Sequence, residues 1–186
     1  MIGSKNKKGF TIVELLVAIT LFVLVVAAVG GLSFSGFQNQ RRSLAAGSLF
    51  NETSFLMEYM SRYLRMAKRE LDPPVCLSEK DLNYEITRSG KGIKFISSSD
   101  ECLEFYWDTA TNRLKENSNG DIQFLTAADS KVVNFRVSVS GARKDDNLQP
   151  QVTFFLNLEK TGTRPESISS LKLQTTVSQR NRDVNY

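Results

Sequence analysis

The chain has 186 residues, of which 41% are hydrophobic, and a formal net charge of +4 from 24 Lys and Arg against 20 Asp and Glu. That length fits one globular domain with an accessory segment, and the charge is too balanced to mark a nucleic-acid binder by itself. The absence of histidine removes the commonest general base, the Ser-His and Cys-His nucleophile pairs and the commonest transition-metal ligand, so the composition points to a chain that is not an enzyme, with no cofactor and no metal expected.

In chain order, the first element is apolar. Phe10 to Leu32 reads FTIVELLVAITLFVLVVAAVGGL with one charge, Glu14, about the length that crosses a hydrocarbon core as a helix. Lys5, Lys7 and Lys8 precede it, and lysines on a short N-terminal flank place that end in the cytoplasm and everything after the span outside. Two plainer readings compete. A secretory signal peptide would use Ala28-Val29-Gly30 as its small-residue cleavage site, but its apolar core is usually shorter and carries no carboxylate. A simple anchor explains the length and leaves Glu14 without a reason, although a carboxylate in hydrocarbon is costly and by default functional.

KKGFTIVELLVAI, Lys7 to Ile19, resembles the class III leader junction of type IV prepilins and type II secretion pseudopilins: a short basic leader, a terminal Gly, a Phe, and a Glu fifth in the mature chain. The resemblance implies cleavage between Gly9 and Phe10 by a membrane-embedded prepilin peptidase and N-methylation of Phe10. It also implies a role for Glu14 in assembly, pairing with the N-terminal amine of a neighbouring subunit and so fixing register. The implied partners are other pilins or pseudopilins in a filament, the peptidase, an inner-membrane platform with its cytoplasmic ATPase, and the membrane. The subunit would be single-pass in the inner membrane before assembly and then in a filament at the surface or in the periplasm. Gly30 and Gly31 close the apolar run and read equally as a hinge or as a point of close helix approach.

Beyond a polar collar, Gln38 to Arg42, apolar residues return with helical spacing at Leu44, Ala45, Leu49, Phe55, Leu56, Tyr59, Met60, Tyr63, Met66 and Ala67. The spacing predicts an amphipathic helix over 33–71, stopped by Pro73 and Pro74. The remainder changes period. Short β-prone runs at Asn83–Arg88, Ile93–Ser97, Cys102–Trp107, Ile122–Thr126, Val132–Val139, Val152–Leu158 and Leu171–Val177 alternate with turn signals, which predicts antiparallel sheet. Turns fall at Tyr106–Asn112 and Asn117–Asp121, loops at Asp145–Pro150 and Thr161–Pro165. The fold class is α+β, an N-terminal helix packed on antiparallel sheet, divided as leader 1–9, span 10–32, amphipathic helix 33–71 and β-rich head 72–186.

Cys76 and Cys102 are the only cysteines and lie on the side read as extracytoplasmic. A disulfide is the favoured reading and two buried thiols the alternative. Asn117, Asn119 and Asp121 faintly match a calcium loop but lack the downstream carboxylate, so they read as a turn. Arg62, Arg65, Lys68 and Arg69 form a basic run that could touch DNA or another anion, although such runs are usually a solvated helix face. Leu171 to Asn181 resembles the closing strand of J-type pseudopilins and W-type minor pilins, which favours a minor pilin or pseudopilin in an assembly-priming tip complex. The alternative of a different class is a membrane-anchored binding protein, for DNA or a surface, exported on a pilin-like anchor.

Overall fold

The computed structural model describes residue 9 and residues 11–71, 73–143, 146, 148–160 and 169–180. The described residues form one α-helix, α1 (Ile12–Arg65), a short 3-10 turn (Arg88–Gly90) and eight strands: β1 (Glu85–Thr87), β2 (Gly92–Ile96), β3 (Cys102–Asp108), β4 (Arg113–Ser118), β5 (Asp121–Phe124), β6 (Ser130–Ser140), β7 (Gln151–Lys160) and β8 (Ser169–Ser178). The class is α+β. Two compact units divide at Arg41 and Arg42.

In the first unit, the α1 residues from Ile12 to Phe34 turn their apolar side chains outward without burial, and this stretch is long and apolar enough to cross a membrane. Gly30 and Gly31 lie inside unbroken helix, and a Cβ built on either would meet nothing within 4 Å.

In the second unit, Leu49, Thr53, Leu56, Met60 and Leu64 form the buried stripe of α1, at spacings of four, three, four and four that keep them on one face. Thr53 can sit in the core because its hydroxyl donates to Leu49 O at 2.7 Å. The stripe is narrower than the sequence implies: Leu44 and Phe55 are exposed.

The helix also ends earlier than the expected limit near Leu71. It stops at Arg65, well before the prolines. Backbone bonds to the rest of the head draw the chain away: Lys68 N donates to Ile96 O at 2.9 Å, Glu70 N to Leu82 O at 2.8 Å, and Arg180 N to Arg65 O at 2.8 Å. The Arg180 bond and Tyr84 Oη on Leu64 O at 2.5 Å satisfy carbonyls that the helix end would otherwise leave open, and Gln179 Nε2 donates to Ala67 O just beyond it at 2.7 Å.

Strands β1 to β5 form an antiparallel meander and β6 to β8 a second antiparallel sheet. The core joins the α1 stripe to Ile93, Phe95, Leu103, Phe105 and Leu114 of the first sheet and to Val132, Phe135, Phe154, Leu156 and Leu158 of the second. Phe95 and Phe105 meet at 5.4 Å between ring centroids. β4, RLKENS, escapes the sequence reading because only Leu114 in it is fully buried and its neighbours are polar. The turns flanking it place Asn112, Asn119 and Gly120 at positive φ, which Asn tolerates and Gly adopts freely. The loop expected at Thr161–Pro165 lies outside the described residues.

Candidate functional site

The leader junction is the first site. Gly9 is exposed and precedes the helix; Phe10 lies outside the described residues. Thr11 and Glu14 cap α1 reciprocally. Thr11 N and Oγ1 both donate to Glu14 Oε2, at 3.0 and 3.1 Å, and Glu14 N donates to Thr11 Oγ1 at 3.2 Å. This is a capping box, satisfying amides that the start of a helix leaves without partners. The Thr-x-x-Glu spacing of Thr11 to Glu14 is its signature in the sequence. Both Thr11 bonds use Oε2, so Oε1 has no partner among the described residues. A carboxylate held at a helix start within an exposed apolar stretch, with one oxygen open, can accept a cation from another chain while still capping its own helix.

Residues 4–30 match the family model described as the prokaryotic N-terminal methylation motif. This match supports a type IV pilin-like prepilin leader. The motif supports a type IV pilin or pseudopilin, a structural subunit, and implies assembly with other pilins and processing by a prepilin peptidase. The exposed apolar helix that follows fits membrane anchoring of such a subunit. No curated protein matches the chain. No solved structure matches it either.

The second site is the stapled strap of the head. Cys76 and Cys102 are joined, with Cα atoms 5.5 Å apart, tying the segment beyond α1 to the start of β3. A loop of this size contributes about 3 to 4 kcal/mol in the chain-entropy account. Beside it lies a residue the sequence reading missed, Glu70, which is 1% exposed. Its Oε1 accepts Leu71 N and Val75 N, both at 3.1 Å, and its Oε2 accepts Cys76 N at 2.8 Å and Leu77 N at 2.6 Å. Burial pushes this carboxyl's pKa up, but the four backbone donors outweigh burial and hold it below the ordinary value. A buried anion is thus compensated by the strap it organises. No spacing in the sequence announces it, since its partners are main-chain amides that any residue supplies.

Glu52 fastens α1 to the β5–β6 connection in a similar way. Its Oε1 accepts Ala127 N at 2.8 Å and its Oε2 accepts Ser130 Oγ at 2.5 Å. Lys160 Nζ lies 3.7 Å from Glu52 Oε2 and 2.7 Å from Asp129.

The remaining sequence candidates divide. Asn117 Oδ1 accepts Gly120 N at 2.9 Å and Asn119 Oδ1 accepts Cys102 N at 3.0 Å, so these oxygens build a turn. Among the described residues no group of three or more His, Cys, Asp or Glu side chains could hold a metal ion. The basic run splits where the helix ends: Lys68 pairs with Asp100 at 2.6 Å and Arg69 with Asp81 at 3.4 Å, while Arg62 and Arg65 stay on α1.

Proposed function

We propose that this chain is a minor pilin or pseudopilin, cut between Gly9 and Phe10, N-methylated at Phe10, and built into the tip complex that primes a type IV pilus or type II secretion pseudopilus. Lys5, Lys7 and Lys8 hold the leader in the cytoplasm, residues 10–32 span the inner membrane, and the head lies outside on an assembly platform. The observation that carries this reading is Glu14: the one carboxylate in the methylation-motif segment, on an exposed apolar helix, with Oε1 left over from its capping box. The Phe10 amine of an adjacent subunit is the cation that fits it. Gly30 and Gly31, with open space around both, leave room for a neighbouring helix to approach. β8, which covers most of Leu171 to Asn181, supports the minor-pilin assignment through the resemblance of that stretch to the J-type and W-type closing strand.

Glu14→Leu tests it. Cleavage at Gly9 should survive, the level in membranes should hold or rise because a charge has left the hydrocarbon, and the amount in sheared filaments should fall at least about tenfold, the loss expected for an unpaired charge in lipid. Glu14→Gln keeps the Thr11 cap and removes the charge, so it should fail in filaments as Leu does. Wild-type incorporation of either variant would assign Glu14 to capping alone.

A further inference from the structure

The two cysteines are anchored at their main-chain polar groups by contacts that do not involve sulfur. Cys76 N donates to Glu70 Oε2 at 2.8 Å, and Cys76 O accepts from Lys94 Nζ at 2.5 Å. Across the bridge, Cys102 N donates to Asn119 Oδ1 and Cys102 O accepts from Asn119 N, both at 3.0 Å. Glu70 extends its hold to the amides of Leu71, Val75 and Leu77. Cys76, Leu77 and Leu82 form an apolar cluster of their own, with Cys102 packed against it. Together these contacts place the two Cα atoms 5.5 Å apart, a separation that a disulfide bridges. Access differs: Cys76 is 8% exposed, whereas Cys102 is partly exposed at the start of β3.

We propose that the folded head holds Cys76 and Cys102 as a preassembled dithiol for disulfide exchange, entered at Cys102 and resolved by Cys76, with Glu70 and Lys94 as the positioning residues that set Cys76 in place. The co-reactant is an accessible disulfide, RSSR. The Cys102 thiolate attacks it, forming a mixed disulfide on Cys102 and releasing one RS⁻. The Cys76 thiolate then attacks the Cys102 sulfur, closing the bridge and releasing the second RS⁻. Two cysteine thiols are oxidised, one disulfide is reduced, and the two protons that the cysteines lose end on the released thiols. Exchange depends on access to the attacking sulfur, which makes Cys102 the entry. Closure depends on how much of the time the resolving thiol already lies beside it. In a loose strap that fraction is limited by the entropy of closing a loop across a sequence separation of 26. With Cys76 held by Glu70 and Lys94, the loop is closed before the sulfur bond forms. The head therefore folds first and is oxidised second, and the disulfide locks an arrangement it did not create. This inference does not depend on the pilin reading.

The test equilibrates the full chain, in phosphatidylcholine nanodiscs, with a series of reduced and oxidised glutathione mixtures; the oxidised fraction is read by thiol labelling and mass after acid quench. The equilibrium should shift toward the dithiol by at least about tenfold for Glu70→Ala and by about threefold to tenfold for Lys94→Met, the scale of losing hydrogen bonds to charged groups. Glu70→Gln keeps an acceptor oxygen without the charge and should fall between wild type and Glu70→Ala. Val132→Ala removes buried packing from the main core on β6; it weakens both redox forms alike and should leave the equilibrium within about threefold of wild type. A shift in Val132→Ala as large as that in Glu70→Ala would reduce the effect to general stability and overturn the positioning role. Wild type supplies a measurement that depends on no variant's folding. After reduction, the amides of Cys76 and Leu77 should stay protected from hydrogen exchange, and their loss of protection while the sheets stay protected would overturn the preassembled pair. Cys76→Ala should take up glutathione at Cys102 at least about threefold faster than Cys102→Ala takes it up at Cys76; the reverse order would overturn the entry assignment.

Discussion

The two compact units are stabilised in opposite ways. The stretch of α1 up to Arg41 has no buried residue of its own and exposes Ile12, Phe22, Leu32 and Phe34; its order comes from helix propensity, a capping box and whatever apolar medium surrounds it. The head inverts this. Phe95, Phe105, Phe135 and Phe154 are fully buried, two sheets cover them, and its carboxylates are used within the chain, Glu70 on four amides and Glu52 on the β5–β6 connection. One unit leaves its single carboxylate half open and the other closes off Glu70 and Glu52. That contrast separates a part made to be completed by something else from a part that completes itself.

The strongest way to break the contrast is to damage the head's core. Phe105→Ala should cost about 3 to 5 kcal/mol, enough to unfold the head in a thermal or urea series, while cleavage at Gly9 stays at the wild-type level. Impaired cleavage would show that the units are not independent.

A smaller effect is expected at the strap. Glu70→Ala leaves four amides, those of Cys76 and Leu77 buried, without their acceptor and should destabilise the head by about 2 to 3 kcal/mol, measured by urea unfolding. The pH dependence has a definite sign. Because the folded pKa of Glu70 lies below its ordinary value, its stabilisation is present above the unfolded carboxyl range near 4.3 and is lost as pH falls through the lower folded value. Wild type should therefore lose this increment on acidification, and Glu70→Gln should show a flatter profile in the same window. Identical profiles would mean that the strap does not depend on the charge.

The smallest effect belongs to the exposed unit. Thr11→Val removes one side of the capping box and should weaken the helix start by about 1 kcal/mol, seen as faster amide exchange at residues 12–15 in micelles. The head's unfolding midpoint should not move. Unchanged exchange would remove the cap from the account.

The same contrast explains what the sequence made legible. A membrane span is written in composition, and the leader in consecutive residues, so both could be read from Lys5 to Leu32. Strands β2, β3, β6, β7 and β8 carry enough β-branched and aromatic residues to be seen. β4 does not: Arg113 to Ser118 is a strand because β3 and β5 flank it, with Tyr106 opposite Lys115 and Lys115 opposite Phe124. Likewise the helix stops at Arg65 for partners distant in the chain, Ile96, Leu82 and Arg180, while the nearby prolines suggested a later end. Glu70 and the approach of Arg180 to Arg65 belong to the same class, because tertiary pairing creates them and no local pattern encodes them.

The central claim is that the N-terminal unit is completed by processing and assembly, and the mass of the mature N-terminal peptide from the native host tests it most directly. The account predicts a peptide that begins at Phe10 and carries one methyl group on its amine. A peptide beginning near Gly31, or one that still contains Lys5, Lys7 and Lys8, would contradict it.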